Sequence, residues 1–169
     1  MKLDNKKIMY GLIATIALQL AVLIMEYGNA VYPLLTGTEI KIKVVPVDPR
    51  SLFRGNYARL NYDISRVTLP EESRVPRANE VIYVRLKQDG DGLYFEEGVS
   101  LSKPDSGLFI KGRARHAYSR DVQVRYGIEA FFAPKEKALG LEKELRAGGV
   151  AIIKLAKNGK PALVDIVAN

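Results

Sequence analysis

The residues best suited to chemistry lie in the stretch PVDPRSLFRGNYARLNY, residues 46–62. Asp48-Pro49 favours a turn, because Asp accepts backbone hydrogen bonds and Pro fixes φ. Arg54 is the arginine that we expect to pair with Asp48 inside this loop. We therefore interpret the loop and the strand that follows it as the candidate binding surface. Its members are Asp48, Arg50, Arg54, Gly55, Asn56, Tyr57, Arg59 and Tyr62.

Ser51 lies in the same loop and is a candidate nucleophile, which would need a lysine or another base to activate it. The spacing singles out no lysine for that role. A turn serine that bonds its own backbone is the simpler interpretation. We expect no catalytic residue, and a membrane-tethered hydrolase that uses a residue of this loop is kept as an alternative.

Metal and cofactor binding are not expected from the residue types present. His116 is the one histidine, so a second imidazole ligand is missing. Asp89 and Asp91 alternate with glycines, but the twelve-residue pattern of a calcium loop is absent, and a hairpin turn is the simpler interpretation. The chain has no cysteine, which excludes a disulfide and a thiolate metal site.

Length and charge narrow the class of protein. The 169 residues fit one domain plus a short appendage. Apolar residues make up 47% of the chain and charged residues 27%, as in a folded globular domain. The formal charge of +7 comes from basic residues that are scattered among acidic ones, without a basic run. Nucleic-acid binding is therefore not expected.

After residue 37 the chain has the pattern of an antiparallel β domain. In EIKIKVVPV, Ile40, Ile42 and Val44 alternate with lysines, as in a half-buried strand. The same reasoning predicts a sandwich or a partial barrel of about eight strands. These are expected at residues 39–47, 57–64, 81–87, 93–96, 108–118, 122–126, 150–156 and 162–167.

Turn and helix signals complete an α+β fold class. Gln88–Gly92 predicts a hairpin with glycine at a positive-φ position, and Lys157–Lys160 predicts a type I′ hairpin because of its Asn-Gly pair. Pro134–Arg146 is the one helix expected outside the N-terminal segment. It has proline in its first turn and apolar residues at helical spacing.

The N-terminal segment Ile8–Met25, IMYGLIATIALQLAVLIM, contains no charged residue. At 1.5 Å per residue it spans about 27 Å, close to the roughly 30 Å hydrocarbon core of a bilayer. Lys2, Lys6 and Lys7 precede it and Glu26 follows it, so the positive-inside rule predicts a cytoplasmic N-terminus.

This assignment divides the chain into four parts. Residues 1–7 are a cytoplasmic tail, 8–25 a transmembrane signal-anchor helix, 26–37 a juxtamembrane linker and 38–169 an extracytoplasmic domain. Two alternatives stay open, and a third, a buried core helix, is not expected because the segment lacks a polar stripe of 3.6-residue period. Gly28-Asn29-Ala30 resembles a signal-peptidase site, with cleavage after Ala30, and Gln19 could bond a neighbouring helix in a bundle.

The candidate surface resembles the signature of the bacterial GDYXXLXY protein family, Gly-Asp-Tyr-x-x-Leu-x-Tyr. Gly55, Tyr57, Leu60 and Tyr62 match it, and Asn56 stands where the signature has Asp. The resemblance extends to the preceding PVDPR segment, the apolar N-terminal helix and the later run YGIEAFFAP, residues 126–134. It implies a membrane-anchored bacterial protein and no particular activity. An amide cannot act as a general base, so a structural role in a turn is the favoured interpretation of Asn56.

These observations predict a single-pass protein of the cell membrane whose β domain is a non-enzymatic interaction module. That domain is periplasmic if the cell is Gram-negative, and its expected partner is a membrane or envelope protein. A small-ligand or lipid-binding β-barrel is the second interpretation, and the hydrolase is the third. A barrel of that kind needs an apolar cavity, whereas a filled interior favours the interaction module.

Overall fold

The computed structural model describes residues 5–45, 57–116, 119–132 and 148–168. The predicted helix Pro134–Arg146 lies outside these residues, and so does the loop from Asp48 to Asn56. The α-helix that the described residues contain is N-terminal, α1 (Asn5–Thr36), and strands follow it.

Helix α1 extends the predicted apolar segment at both ends. Its 32 residues give a length of about 48 Å. The helix is long and apolar enough to cross a membrane, and none of its apolar window is buried inside the protein. The segment assigned above to a juxtamembrane linker is therefore helical over residues 26–36.

Eleven strands are described. They are β1 (Thr38–Val45), β2 (Tyr57–Arg59), β3 (Asn61–Tyr62), β4 (Arg66–Thr68), β5 (Val81–Gln88), β6 (Tyr94–Ser100), β7 (Phe109–His116), β8 (Asp121–Arg125), β9 (Ala130–Phe132), β10 (Gly149–Leu155) and β11 (Pro161–Ala168).

Nine of these strands form one open sheet in the order β11-β10-β1-β6-β5-β7-β8-β4, with β3 paired to β1. Strands β1 and β6 pair in parallel at Ile42 and Tyr94, and the other described pairs are antiparallel. Strands β2 and β9 form a separate antiparallel ribbon. The predicted, mainly antiparallel β architecture is confirmed, but in the described residues it is an open sheet where a sandwich or a partial barrel was expected.

The core lies on one face of the sheet, as the alternation of β1 predicted. Ile40, Ile42 and Val44 are 3% exposed or less. Strands β5, β7 and β10 contribute their alternate residues in the same way, including Ile82, Ile110 and Ile153 at 0% exposure. Aliphatic side chains therefore fill the interior of the described domain.

The strand predicted for residues 57–64 is interrupted. Asp63–Ser65 forms a 3-10 turn, in which Asp63 Oδ1 accepts from Ile64 N at 2.8 Å and Ser65 Oγ accepts from Tyr62 N at 3.1 Å. These local side-chain bonds compete with a continuous ladder. The segment consequently leaves β1 after β3 and reaches β8 through β4, while Leu60, Tyr62 and Ile64 stay buried as predicted.

Both predicted hairpin turns form, with the same geometry. Gly92 N donates to Asp89 O, Gly159 N donates to Ala156 O, and both glycines have a φ of +80°. The type I′ prediction for the second turn is wrong, because that turn also needs a positive φ at Asn158, and Asn158 lacks one. A three-residue loop that ends on a left-handed glycine, with a bulge, describes both turns.

Helix α1 is fixed to the domain at its C-terminal end. Pro33 has no N–H, so the carbonyl of Asn29, four residues earlier, loses its helical donor. Lys160 Nζ replaces that donor at 2.8 Å. Lys154 Nζ donates in the same way to Leu34 O, one of the carbonyls left open at the helix end, at 2.9 Å. We call Lys154 and Lys160 the helix clamp.

Removing the clamp is expected to loosen the helix from the domain. In Lys154→Gln with Lys160→Gln, two charge-assisted bonds are lost, each contributing about 1 kcal/mol or less at this exposure. The chain has no native cysteine, so spin labels at Tyr27→Cys and Asp91→Cys report the distance between helix and domain. The distance distribution should broaden in the clamp variant.

The distribution should stay narrow in the control variant Lys41→Gln with Lys87→Gln, which removes the same charge from exposed strand positions. An unchanged distribution in the clamp variant would contradict the role of these bonds.

An ion pair organises the connection between β4 and β5. Glu80 accepts from the two terminal guanidinium nitrogens of Arg74, Nη1 and Nη2, and from Arg77 N. The hydrogen bonds from Arg74, followed by that from Arg77 N, lower the pKa of Glu80 to about 2 from an ordinary value of 4.5. A depressed carboxylate pKa stabilises the fold above the ordinary value, and the contribution disappears as the pH falls through the folded value.

Glu80→Gln is therefore expected to lower the melting temperature at pH 7 and to converge with the wild type as the pH falls from about 4.5 to 2. Glu71→Gln removes a carboxylate from the same connection and is the matched control, which should lower the melting temperature at pH 7 less than Glu80→Gln, because the bonds from Arg74 and Arg77 N stay in place. Thermal melts across this pH range measure the effect. A constant difference between Glu80→Gln and the wild type at every pH would contradict the assignment.

Candidate functional site

The predicted binding surface falls mostly outside the described residues. This holds for Asp48, Arg50, Arg54, Gly55 and Asn56, whose proposed role stays a prediction.

The last part of the candidate surface lies within the described residues. Tyr57 and Arg59 are the first and last residues of β2. Tyr62 is 1% exposed and lies in the core, so it positions the segment and does not contribute to a surface. Leu60, another named position of the signature, is also buried.

Strand β2, which contains Tyr57 of the signature, pairs with β9, which lies in the run YGIEAFFAP. Tyr57 lies opposite Phe132, and Arg59 opposite Ala130, in the β2–β9 ribbon. The ladder continues where Leu60 N donates to Glu129 O at 2.9 Å. Two segments that are far apart in sequence are thus one structural unit.

Two buried tyrosines connect these segments through their hydroxyl groups. Tyr62 donates to Ile128 O and Tyr126 donates to Ile64 O, each at 2.6 Å. We call these four residues the tyrosine clasp. Each segment supplies one hydroxyl donor and one carbonyl acceptor, so the two bonds are reciprocal and fix the segments relative to each other.

Both clasp hydroxyls remain protonated. Burial raises the pKa of Tyr62, and the negative charge of Glu129 raises it further. Burial also raises the pKa of Tyr126, with smaller contributions from Glu96, Glu129 and Asp63. A protonated phenol is a hydrogen-bond donor, so both donors are kept at neutral and moderately alkaline pH.

Glu129 organises the turn before β9. Its carboxylate oxygens accept from the backbone N–H groups of Tyr126 and Gly127, the second at 2.9 Å. Gly127 has a φ of +85°, which residues with a side chain rarely adopt. Both oxygens of Glu129 thus bond the backbone, which gives this carboxylate a structural role.

Asp63 and Glu96 form a second acidic group near the clasp. Burial raises the pKa of both carboxyls, and the charge of Asp63 raises that of Glu96 further. Within the described ranges, no group of three or more His, Cys, Asp or Glu side chains is placed to hold a metal ion. Asp89, considered above for calcium, instead accepts from Asp91 N and Leu93 N in its hairpin.

A pocket of about 880 Å³ opens beside the clasp, between the outer face of the sheet and α1. Tyr126, Gly127 and Glu129 line one side of it, and Asn29 of the helix lines another. Four basic side chains also line it, whereas the described part of the lining contains one carboxylate, that of Glu129. We call this the basic pocket. Its cations are Lys111, Arg113, Arg125 and Lys160.

The basic pocket was not predicted from the sequence, although part of it has a recognisable pattern. Lys111, Arg113 and Arg115 recur at every second position of KGRARH, which places them on one face of a strand. Lys160 left no signal, because its helix partner Asn29 is 131 residues away.

One helix long and apolar enough to cross a membrane, fixed at its end to a largely antiparallel β domain, defines the class of protein. The chain belongs to the GDYXXLXY protein family, whose family model matches residues 19–166. The resemblance found in the sequence is thereby confirmed over most of the chain. Searches of curated proteins and of solved structures gave no match.

Proposed function

We propose that this is a single-pass membrane protein whose extracytoplasmic β domain is a non-enzymatic interaction module for a membrane or envelope protein. The helix clamp is the observation that carries the proposal. A domain bonded to the helix end through Lys154 and Lys160 has one orientation at the membrane surface. Confinement and fixed orientation both raise the effective concentration of a partner in the same membrane.

Charge at the two ends of the helix supports the direction of the anchor. Lys6 and Lys7 lie at its beginning, and Glu26 follows the apolar segment. The positive-inside rule then leaves the β domain outside the cytoplasm. Tyr10 and Tyr27 are 65% and 72% exposed and lie about 26 Å apart along the helix, which suits the two membrane interfaces.

The filled interior favours an interaction module over a ligand-binding barrel. Ile42, Ile82 and Val84 are fully buried among other aliphatic side chains, so the described core is packed. A partner then binds at the surface, and the loop from Asp48 to Tyr57 is the surface we propose for it. The hydrolase alternative depends on Ser51 and Asp48 of the same loop.

Photocrosslinking in native membranes tests the proposal. A photoreactive residue at Arg54 or Tyr57 should give the same protein adduct in repeated preparations. Val75 is 44% exposed and lies in the connection between β4 and β5, which makes it the control position. No reproducible adduct from the loop, or the same adduct from Val75, would count against the loop as the partner surface.

A further inference from the structure

The basic pocket holds a charge arrangement that is costly without an anion. Arg113 and Arg125 lie directly opposite each other in the register of β7 and β8. Like charges at opposite positions destabilise a sheet. Lys111 lies two residues from Arg113 on the same strand and adds a third positive charge. An anion bound between these side chains would offset their repulsion.

The carboxylate in the pocket lining is poorly placed to supply that neutralisation. Both oxygens of Glu129 already accept from backbone N–H groups. Among the residues that the structure describes, four cations and one carboxylate give the lining a formal charge of +3. The site therefore favours an anion from outside the chain.

Two of the cations are held in position by the protein. Arg113 Nη1 donates to Asn79 O at 2.9 Å, and Lys160 Nζ donates to Asn29 O at 2.8 Å. Each of these bonds uses one donor of a group that has several, since guanidinium carries five N–H donors and ammonium three. Positioned cations with donors to spare suit a phosphate, which presents several acceptor oxygens.

The place of the pocket along α1 indicates where the phosphate comes from. Asn29 lies four residues beyond Met25, or about 6 Å further along the helix. The headgroup layer outside the hydrocarbon core is about 5–8 Å thick on each side. If Ile8–Met25 spans the core, as the proposed function requires, this rim of the pocket lies at the level of the headgroups.

We propose that the basic pocket binds the phosphate of an anionic lipid headgroup, in the leaflet from which the C-terminal end of α1 emerges. Its volume of about 880 Å³ is in the range of small-molecule sites and accommodates a glycerophosphate headgroup. The lipid binds on the outer face of the sheet, apart from the filled interior, so this site differs from the ligand-binding barrel considered above.

Native mass spectrometry of the full chain tests the proposal. The protein is inserted into nanodiscs with equal amounts of phosphatidylglycerol and phosphatidylcholine, and the retained lipids are counted. The wild type should retain phosphatidylglycerol preferentially. Lys111→Gln with Arg125→Gln should reduce that preference about tenfold, since two charge-assisted contacts to one phosphate are lost. This variant leaves the bonds of Arg113 and Lys160 in place.

The control variant Lys41→Gln with Lys87→Gln removes the same charge outside the pocket and should keep the wild-type preference. An equal loss of the preference for phosphatidylglycerol in both variants would show general attraction to anionic lipid and would overturn the site. A wild type without preference for phosphatidylglycerol would overturn the site whether or not the variants fold.

A separate arm adds inorganic phosphate to nanodiscs of phosphatidylcholine alone. If the pocket binds that phosphate but the wild type shows no lipid preference, the lipid source is excluded.

The proposed function is tested separately, by insertion of the protein into the nanodisc and by photocrosslinking to a partner. A failure of the lipid site alone would therefore leave the proposed function unaffected.

Discussion

Tyr62→Ala is expected to lower the free energy of unfolding by about 3–5 kcal/mol, the range for removing a large aromatic side chain from a packed core. Tyr62 is 1% exposed, and its hydroxyl bonds Ile128 O at 2.6 Å. The substitution removes the ring and also leaves a buried carbonyl without its donor. Denaturant unfolding of the full chain in mild detergent, followed by far-UV circular dichroism, measures the change.

The phenylalanine variants separate the hydrogen bond from the ring. Tyr62→Phe keeps the ring and should cost about 1–3 kcal/mol through the carbonyl left unsatisfied. Tyr126→Phe should behave alike, because it makes the reciprocal bond to Ile64 O. The two effects should be non-additive, since both bonds join the same segments. Tyr83→Phe, which keeps the edge contact with Phe109, is the control and should change stability by less than about 0.5 kcal/mol. A Tyr62→Phe effect no larger than this control would contradict the clasp.

Gly112→Ala is expected to lower the free energy of unfolding by about 1–3 kcal/mol, because it overfills a packed site. A Cβ at Gly112 would lie 2.3 Å from Val124 Cγ1, 2.9 Å from Tyr126 Cδ1 and 3.0 Å from Arg125 O. The last contact is with backbone, so a side-chain rotation alone cannot relieve the crowding. Glycine at this position lets β8 and the clasp tyrosine approach β7.

Gly98→Ala is the matched control for this effect. Gly98 also lies in a strand, but its added Cβ would meet the guanidinium of Arg85 at 3.1 Å, the flexible end of a side chain. Its effect should stay within about 0.5 kcal/mol. Both variants are measured by the same denaturant unfolding. Equal effects of the two substitutions would argue against close packing at Gly112.

The features predicted correctly from the sequence are those that depend on one short residue pattern. The alternation in β1 placed Ile40, Ile42 and Val44 in the core, because burial on one face of a strand follows a period of two. The same alternation predicted that Leu60 and Tyr62 are buried, although it did not predict the 3-10 turn that follows. That turn depends on hydrogen bonds from individual side chains, which a hydrophobic pattern does not encode.

Long-range partners account for most of what the sequence could not predict. Pro33 favours an end to the helix at this point, yet α1 continues to Thr36. The open carbonyl of Asn29 is bonded by Lys160, which no local pattern connects with it. The partner of the Tyr62 hydroxyl was equally unpredictable, because it is 66 residues away in the sequence. The basic pocket depends on a local pattern and on a long-range contact. The alternation of basic residues in β7 can be recognised in the sequence, but the contribution of Lys160 cannot.

We propose above all that α1 is a retained anchor with a cytoplasmic beginning and an extracytoplasmic β domain. Labelling of single cysteines with a membrane-impermeant maleimide tests it directly, because the chain has no cysteine of its own. In spheroplasts, Asp91→Cys, on the exposed β5–β6 turn, should react at once, and Lys6→Cys should react only after the membrane is permeabilised. Both labels should appear on a chain of the full mass. Reaction of Lys6→Cys from outside, or a mature chain that lacks residues 1–30, would contradict the claim.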